Sequence, residues 1–240
     1  HLFLEERYEN IVSIIKKNGR VKVKELSKLF EVTEDCIRKD LKELESRGYL
    51  IRVYGGAIAQ KNHIDIKNID ERKNINTQEK KLIALKAIDL IENKDIVFLD
   101  VSTINLEIAK ELNNTNKTIT VVTNMIEIVL ELRMNNNIKV ICIGGEFNKE
   151  IGAIVGAAAD RYIRKFAYDK AFIGLGGINK ETGYVSTIYL EDGDTKKTII
   201  ECSTKIYLVM EKEKFNYDEF YKFATLEEIT AIITEDRVID

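Results

Sequence analysis

The residues able to do chemistry fall into two settings. Along the C-terminal two thirds, polar and small residues follow short apolar runs. Asp100, Ser102, Thr103 and Asn105 come after Ile96–Leu99, Thr123 and Asn124 after Ile119–Val122, and Gly144 and Gly145 after Val140–Ile143. Gly174 to Gly177, Gly176 among them, follow Ala171–Ile173, and Glu211 to Lys214 follow Ile206–Met210. Glycine permits close backbone approach, Asn and Thr offer neutral hydrogen bonds, and Asp100, Glu211 and Lys214 supply charge. Such a set suits a polar, hydroxyl-bearing ligand. The turn Asp100-Val101-Ser102-Thr103 also opens a helix whose free N–H groups and dipole favour an anion such as phosphate, although a Ser-Thr pair there serves equally as a plain cap.

The second setting is Val21 to Ala57. Ile37, Leu41 and Leu44 recur at helical spacing, and Asp35, Arg38, Lys39 and Lys42 fall on the opposite face. Thr33 is placed to cap this helix, and a shorter amphipathic stretch, Lys24 to Phe30, precedes it. Gly48 ends it. Tyr49 to Val53 alternates before Gly55-Gly56, as a strand and turn would, with Arg52 beside the turn. A basic helix face alone is commonly just a solvated face. Helix, turn, basic helix and wing in this order point instead to a winged helix-turn-helix that binds double-stranded DNA.

The elements behind these residues set the domain plan. Leu4, Tyr8, Ile11, Val12 and Ile15 mark a first helix, about Leu4 to Lys17, expected to pack on Leu26, Leu29 and Leu41. Residues 1–59 then form the DNA-binding domain, the polar stretch 60–76 a linker that contains His63, and residues 77–240 an α/β domain. In that domain Asn76 and Glu79 resemble a capping box before the stripe Ile83, Ala84, Ala87, Ile88, Ile91. The short apolar runs, with Ala231–Ile233 as a sixth, alternate with helical patterns at Leu106–Leu112, Met125–Leu132, Ala157–Phe166 and Thr195–Cys202. Short, continuously apolar strands alternating with helices predict a mostly parallel sheet covered on both faces, with ligands bound beyond the strands' carboxyl ends.

Charge agrees with this division. The net charge is −3, from 37 Lys and Arg against 40 Asp and Glu. Residues 1–61 hold 13 basic and 10 acidic residues, whereas the remainder hold 24 and 30. A mildly basic small domain on an acidic larger one suits local DNA contact rather than a general nucleic-acid coat.

The segment Val21–Ala57 resembles the N-terminal domain of the DeoR family of bacterial transcription regulators. Ile37, Arg38, Asp40, Leu41, Leu44, Glu45, Gly48, Arg52, Gly55, Gly56 and Ala57 match that family's pattern. Thr33 stands for its Ser, Cys36 for Thr, Lys39 for Arg and Tyr54 for His. The resemblance adds Cys36, Tyr54 and Gly55 to the expected DNA-contacting residues. Losing a hydroxyl at Cys36 and an arginine fork at Lys39 is expected to shift operator sequence and affinity.

The resemblance continues through Lys80, Phe98-Leu99-Asp100, Thr103, Thr123-Asn124, Gly144-Gly145, Gly156, Asp169 to Phe172, Gly174, Gly183, Lys196 and Lys214-Phe215. It implies a C-terminal domain similar to ribose-phosphate isomerases and coenzyme A transferases that senses a phosphorylated sugar or related metabolite, with Lys196 at the site. Where the family has Asp-x-Gly-Thr-Thr, this chain has Ser102 and Ile104. The first is expected to stiffen the loop and the second to remove a donor.

Other classes are weighed against this. Asp100, Glu191, Glu211 and Lys214 would suit the proton transfers of a sugar-phosphate isomerase, yet fold similarity carries no chemistry and the helix-turn-helix argues for a sensor. A DNA-binding protein with a degenerate ligand site is the third reading. No Walker loop or complete dinucleotide fingerprint is present, so no nucleotide cofactor is expected. Three scattered cysteines and two histidines argue against disulfides and zinc. No apolar run reaches membrane length and no signal peptide is visible, so a cytoplasmic protein is expected. One winged helix covers one half-site, so a homo-oligomer, dimer or tetramer, is expected.

Overall fold

Helix α1 (Leu4–Asn18) forms because Tyr8, Ile11 and Ile15 repeat along one face, where all three are buried. Strand β1 (Arg20–Lys22) leads into α2 (Val23–Phe30), a left-handed residue at Glu31 ends that helix, and α3 (Glu34–Ser46) follows. Thr33 caps α3, its hydroxyl accepting the Cys36 N–H at 3.2 Å. Strands β2 (Leu50–Val53) and β3 (Gly56–Ala59) complete an antiparallel sheet in the order β1-β3-β2. The core joins Tyr8, Ile11 and Ile15 to Leu26, Ile37, Leu41, Leu44 and Leu50. Two expectations need correction. Leu29 is 62% exposed because Leu26 takes the inward position of the short α2, and β2 buries only Leu50, leaving Ile51, Arg52 and Val53 exposed.

The computed structural model describes residues 4–59 and 69–240, and the chain divides into two compact units with the boundary between residues 65 and 66. His63 and the expected linker as far as residue 68 lie outside the described residues. The rest of that stretch is not plain linker: helix α4 (Ile69–Lys73) lies in it, and Ile69 is buried in the larger unit's core.

The larger unit continues with α5 (Thr77–Asp89), β4 (Ile96–Leu99), α6 (Thr103–Leu112), β5 (Ile119–Thr123), α7 (Ile126–Leu132) and β6 (Ile138–Cys142). After the hairpin β7 (Phe147–Asn148) and β8 (Ala153–Ile154) come α8 (Ala157–Ile163), β9 (Tyr168–Gly174), β10 (Gly177–Ile178), β11 (Tyr184–Thr187) and α9 (Leu190–Glu201). Strands β12 (Ser203–Val209), β13 (Tyr221–Thr225), β14 (Ala231–Ile233) and β15 (Val238–Ile239) end the chain. Seven strands form one sheet in the order β15-β14-β12-β9-β4-β5-β6, parallel throughout except for β15.

Residue alternation explains the continuous apolar runs. Val97 and Leu99 face one core with α5, α6 and α7, whereas Phe98 faces a second core with α8, α9 and the small antiparallel sheet β10-β11-β13. Both faces are covered, so both registers are apolar. The expected capping box at Asn76 is absent. Asn76 adopts φ 51° and its side chain makes no cap bond.

Candidate nucleic-acid interface and anion pocket

In the smaller unit, α3 presents Arg38, Lys39 and Lys42 to solvent while Ile37, Leu41 and Leu44 are buried. Arg38 is not idle in this state: it donates to Glu34 at 2.8 Å and to Asp35 at 2.5 Å. Arg52 donates from Nε to Glu45 at 2.7 Å, and its backbone N–H donates to the same carboxylate at 2.8 Å. That double bond ties the wing to α3 and lowers the Glu45 pKa. Tyr54 is fully exposed at the wing tip, beside Gly55 at φ 79°. Gly56 has no room for a side chain, since a Cβ there would lie 2.0 Å from the Val21 carbonyl oxygen. Lys24, Glu34, Arg38, Arg52, Val53 and Gly55 line the groove between α3 and the wing. The groove thus sets one helix beside one hairpin tip, with Arg38 and Arg52 held by carboxylates between them.

Asp40 and Cys36 serve a different purpose. Asp40 is buried and accepts two bonds from Arg7, at 2.7 and 3.0 Å, and the Arg7 guanidinium also reaches the Cys36 sulfur at 3.4 Å. The Asp40 bond raises the Arg7 pKa above its usual value, against the opposing effect of burial. Cys36 and Asp40 therefore face α1, a contact between distant residues that pattern reading did not supply.

In the larger unit a polar cluster gathers buried charges. Asp100 is wholly buried at the end of β4; it accepts from Lys196 and, at 3.2 Å, from the Gly174 N–H. Lys196 also lies 3.1 Å from Asp192, which accepts from Thr187 at 2.7 Å. Burial pushes the Asp100 carboxyl up to about 6, against the pull of Lys196. Burial also opposes the Lys196 ammonium, but Asp100 and Asp192 outweigh it and the pKa rises.

Around this pair stand Arg72 of α4, Lys80 of α5 and Lys214. Lys80 donates to the Arg72 carbonyl, and Lys214 donates to the Leu175 carbonyl at 2.7 Å and sits 3.9 Å from Glu211. All three cations have depressed pKa values, with burial the leading cause and the shared Glu211 opposing it. The buried Arg72 Nε makes no hydrogen bond. Cations held this way favour an incoming anion, which would supply the charge that burial withholds.

Residues 7–63 match the DeoR-like helix-turn-helix domain, and residues 75–236 match the DeoR C terminal sensor domain. The chain belongs to the DeoR family. Similar relatives of this DeoR-family chain include the HTH-type transcriptional repressor GlcR of Bacillus subtilis (strain 168), 31% identical over 98% of this chain and 89% of that protein. The glycerol-3-phosphate regulon repressor of Escherichia coli (strain K12) is 30% identical over 96% of this chain and 90% of the relative. The lactose phosphotransferase system repressor of Staphylococcus aureus (strain NCTC 8325 / PS 47) is 30% identical over 96% and 91%. The solved structure of ribose 5-phosphate isomerase A from Methanocaldococcus jannaschii covers 58% of this chain and 54% of its own, at 14% identity and a TM-score of 0.43. This DeoR-family protein is a DNA-binding transcription regulator, and the isomerase reading gives way. Among the described residues no helix is long and apolar enough to cross a membrane.

Within the sensor unit of this DeoR-family chain, the expected ligand residues divide. Asp100, Lys196 and Lys214 come together. Asn105, Thr123 and Asn124 are buried and bonded to the backbone: Asn105 to the Asp100 and Phe172 carbonyls, Thr123 to Leu99, and Asn124 to Ile154. They hold strand ends in register. Ser102 is unstrained, its φ of −164° being extended backbone; its hydroxyl caps α6 by accepting the Asn105 N–H at 2.9 Å, and its Cβ lies where a side chain on Gly174 would go. Thr103 is half-buried in the first turn of α6, and Gly144 and Gly145 are exposed beyond β6. Gly176 abuts Glu219. Glu191 is exposed on α9, and the inward carboxylate is its neighbour Asp192. Arg72, Lys80 and Asp192 were not among the expected ligand residues. Lys80 had a signal, since it stands on the apolar stripe of α5 with Ile83, Ala84 and Ala87.

Proposed function

We propose that the protein represses an operon of sugar or sugar-alcohol metabolism and that a phosphorylated sugar, bound at the cluster around Glu211, modulates operator affinity. The observation that carries this is the gathering of Lys80 on the Arg72 carbonyl and of Lys214 beside Glu211, with Lys196 already matched by Asp100 and Asp192. A neutral sugar would leave those cations unrelieved. A phosphate monoester relieves them and leaves hydroxyls for the neighbouring polar groups. Arg38, Lys39, Lys42, Arg52 and Tyr54 make the operator contacts in this reading, from two winged helices of a homo-oligomer in the cytoplasm. Ligand acts by differential affinity for two arrangements of that oligomer.

Calorimetry against hexose, pentose and glycerol phosphates and their unphosphorylated parents tests the sensor, with duplex binding measured in parallel. Saturable binding of a phosphate ester, absent for its parent and accompanied by a change in duplex affinity, is the expected result. Equal binding of the parent sugar would overturn the phosphate reading.

A further inference from the structure

Arg38 is more than half exposed, yet its guanidinium is already engaged. Nη2 donates to Glu34 one turn back, and Nη1 donates to Asp35. The two carboxylates fill the arginine's fork much as the paired acceptors of a guanine edge or a phosphate would. Glu34 and Arg38 also line the groove between α3 and the wing, so the competing carboxylate stands where DNA must enter. Both acids occupy the first turn, where the helix dipole alone would favour them. That accounts for their presence but not for their grip on this one cation.

We infer that Glu34 and Asp35 gate Arg38: they hold its fork in the unbound protein, so that it transfers to a base edge offering two acceptors in register and not to isolated phosphate oxygens. The inference rests on α3 being the DNA-reading helix. Magnitudes make it workable. An exposed ion pair of this spacing is worth roughly a factor of two, so the two together hold Arg38 by about fourfold. A bidentate arginine–guanine contact discriminates by roughly tenfold or more, which exceeds that hold. One single-acceptor phosphate contact does not. The hold is subtracted in full only where Arg38 leaves its carboxylates, so the gate costs the specific complex up to about fourfold and a non-specific complex less.

The test uses the full chain with Glu34→Gln and Asp35→Asn together, with and without Arg38→Ala. Anisotropy is read on a duplex selected by the wild-type protein from a random pool and on a scrambled duplex of equal length. The substitutions keep side-chain size and lie on the helix surface. Removing any two carboxylates raises affinity for both duplexes, so the decisive quantity is the ratio. We expect affinity for the selected duplex to rise more than for the scrambled one, by up to about fourfold, and that excess to vanish with Arg38→Ala. Equal rises on both duplexes, or an excess that persists without Arg38, would reduce the effect to net charge and overturn the gate. If Arg38→Ala alone changes affinity for neither duplex, the reading of α3 fails and takes the gate with it.

Discussion

Replacing Asp40 with alanine should strongly destabilise the DNA-binding unit while leaving the sensor unit intact. Asp40 is 2% exposed and Arg7 9% exposed, and they share two short charge-assisted hydrogen bonds. Removing one partner of a buried pair strands the other without water, a loss of about 3–5 kcal/mol for fully buried pairs. Arg7 retains slight solvent access and the weak Cys36 contact, so about 2–4 kcal/mol is the fitting range here. A unit the size of residues 4–59, at roughly 0.05–0.15 kcal/mol per residue, holds only about 3–8 kcal/mol. The substitution therefore removes a large part of its stability.

The chain has no tryptophan, so hydrogen exchange of α3 amides is the better assay. Protection in α3 should fall by a factor of about thirty to a thousand, which is about 2–4 kcal/mol, while β4 and β9 amides stay protected. Operator binding should be lost with it. Arg7→Met combined with Asp40→Leu should recover most of the protection, because burial of matched apolar side chains replaces the pair. A fall below about fivefold in α3, or loss of protection in both units together, would refute the assignment of Asp40 as the clasp between α1 and α3.

Four further outcomes are expected. Lys214→Ala should weaken phosphate-ester binding at least tenfold by calorimetry while leaving ligand-free affinity for DNA unchanged. Arg38→Ala should weaken binding to the selected duplex by about 1–3 kcal/mol and relax its preference over a scrambled one. Lys80 and Lys214 have pKa values depressed by burial, and a bound anion raises them, so phosphate-ester affinity is full while both are charged. It should fall as pH rises from the depressed values toward those of the complex, seen as proton uptake on binding in that window. Gly56→Ala should disrupt the pairing of β1 with β3, given the 2.0 Å approach of its Cβ to the Val21 oxygen, and should be visible as lost protection in β3.

Burial on both faces made the large sheet legible. The run Ile96–Leu99 coincides with β4 and Ala231–Ile233 with β14, because strands enclosed by helices have no polar register to blur the signal. The small sheet was not legible. Strand β11 buries Ser186 and Thr187, whose hydroxyls are satisfied within the fold, so its polarity hid it. The winged helix showed through Thr33, Gly48 and Gly55, where the backbone demands a cap or a positive φ, and through Gly56, where it demands close approach. The ligand cluster showed only in part. Loops after strands pointed to Asp100 and Lys214, but Arg72 belongs to a short helix that lacks apolar periodicity, and Glu191 and Asp192 differ by one position on a helix whose inward face only packing decides.

The two units hold charge in opposite ways, and this lets them be addressed separately. On α3 and the wing, the pairs Arg38–Glu34, Arg38–Asp35 and Arg52–Glu45 have substantial solvent exposure. Salt screens such groups over about 8–10 Å at moderate ionic strength, so DNA affinity answers to ionic strength. Around Glu211 the cations are buried or nearly so, and screening reaches them poorly. Their response is to proton concentration, through pKa values already displaced by burial. Raising salt at fixed pH should therefore weaken duplex binding with little change in intrinsic phosphate-ester affinity. Raising pH at fixed salt should weaken phosphate-ester binding, because Lys80 and Lys214 then lose their protons.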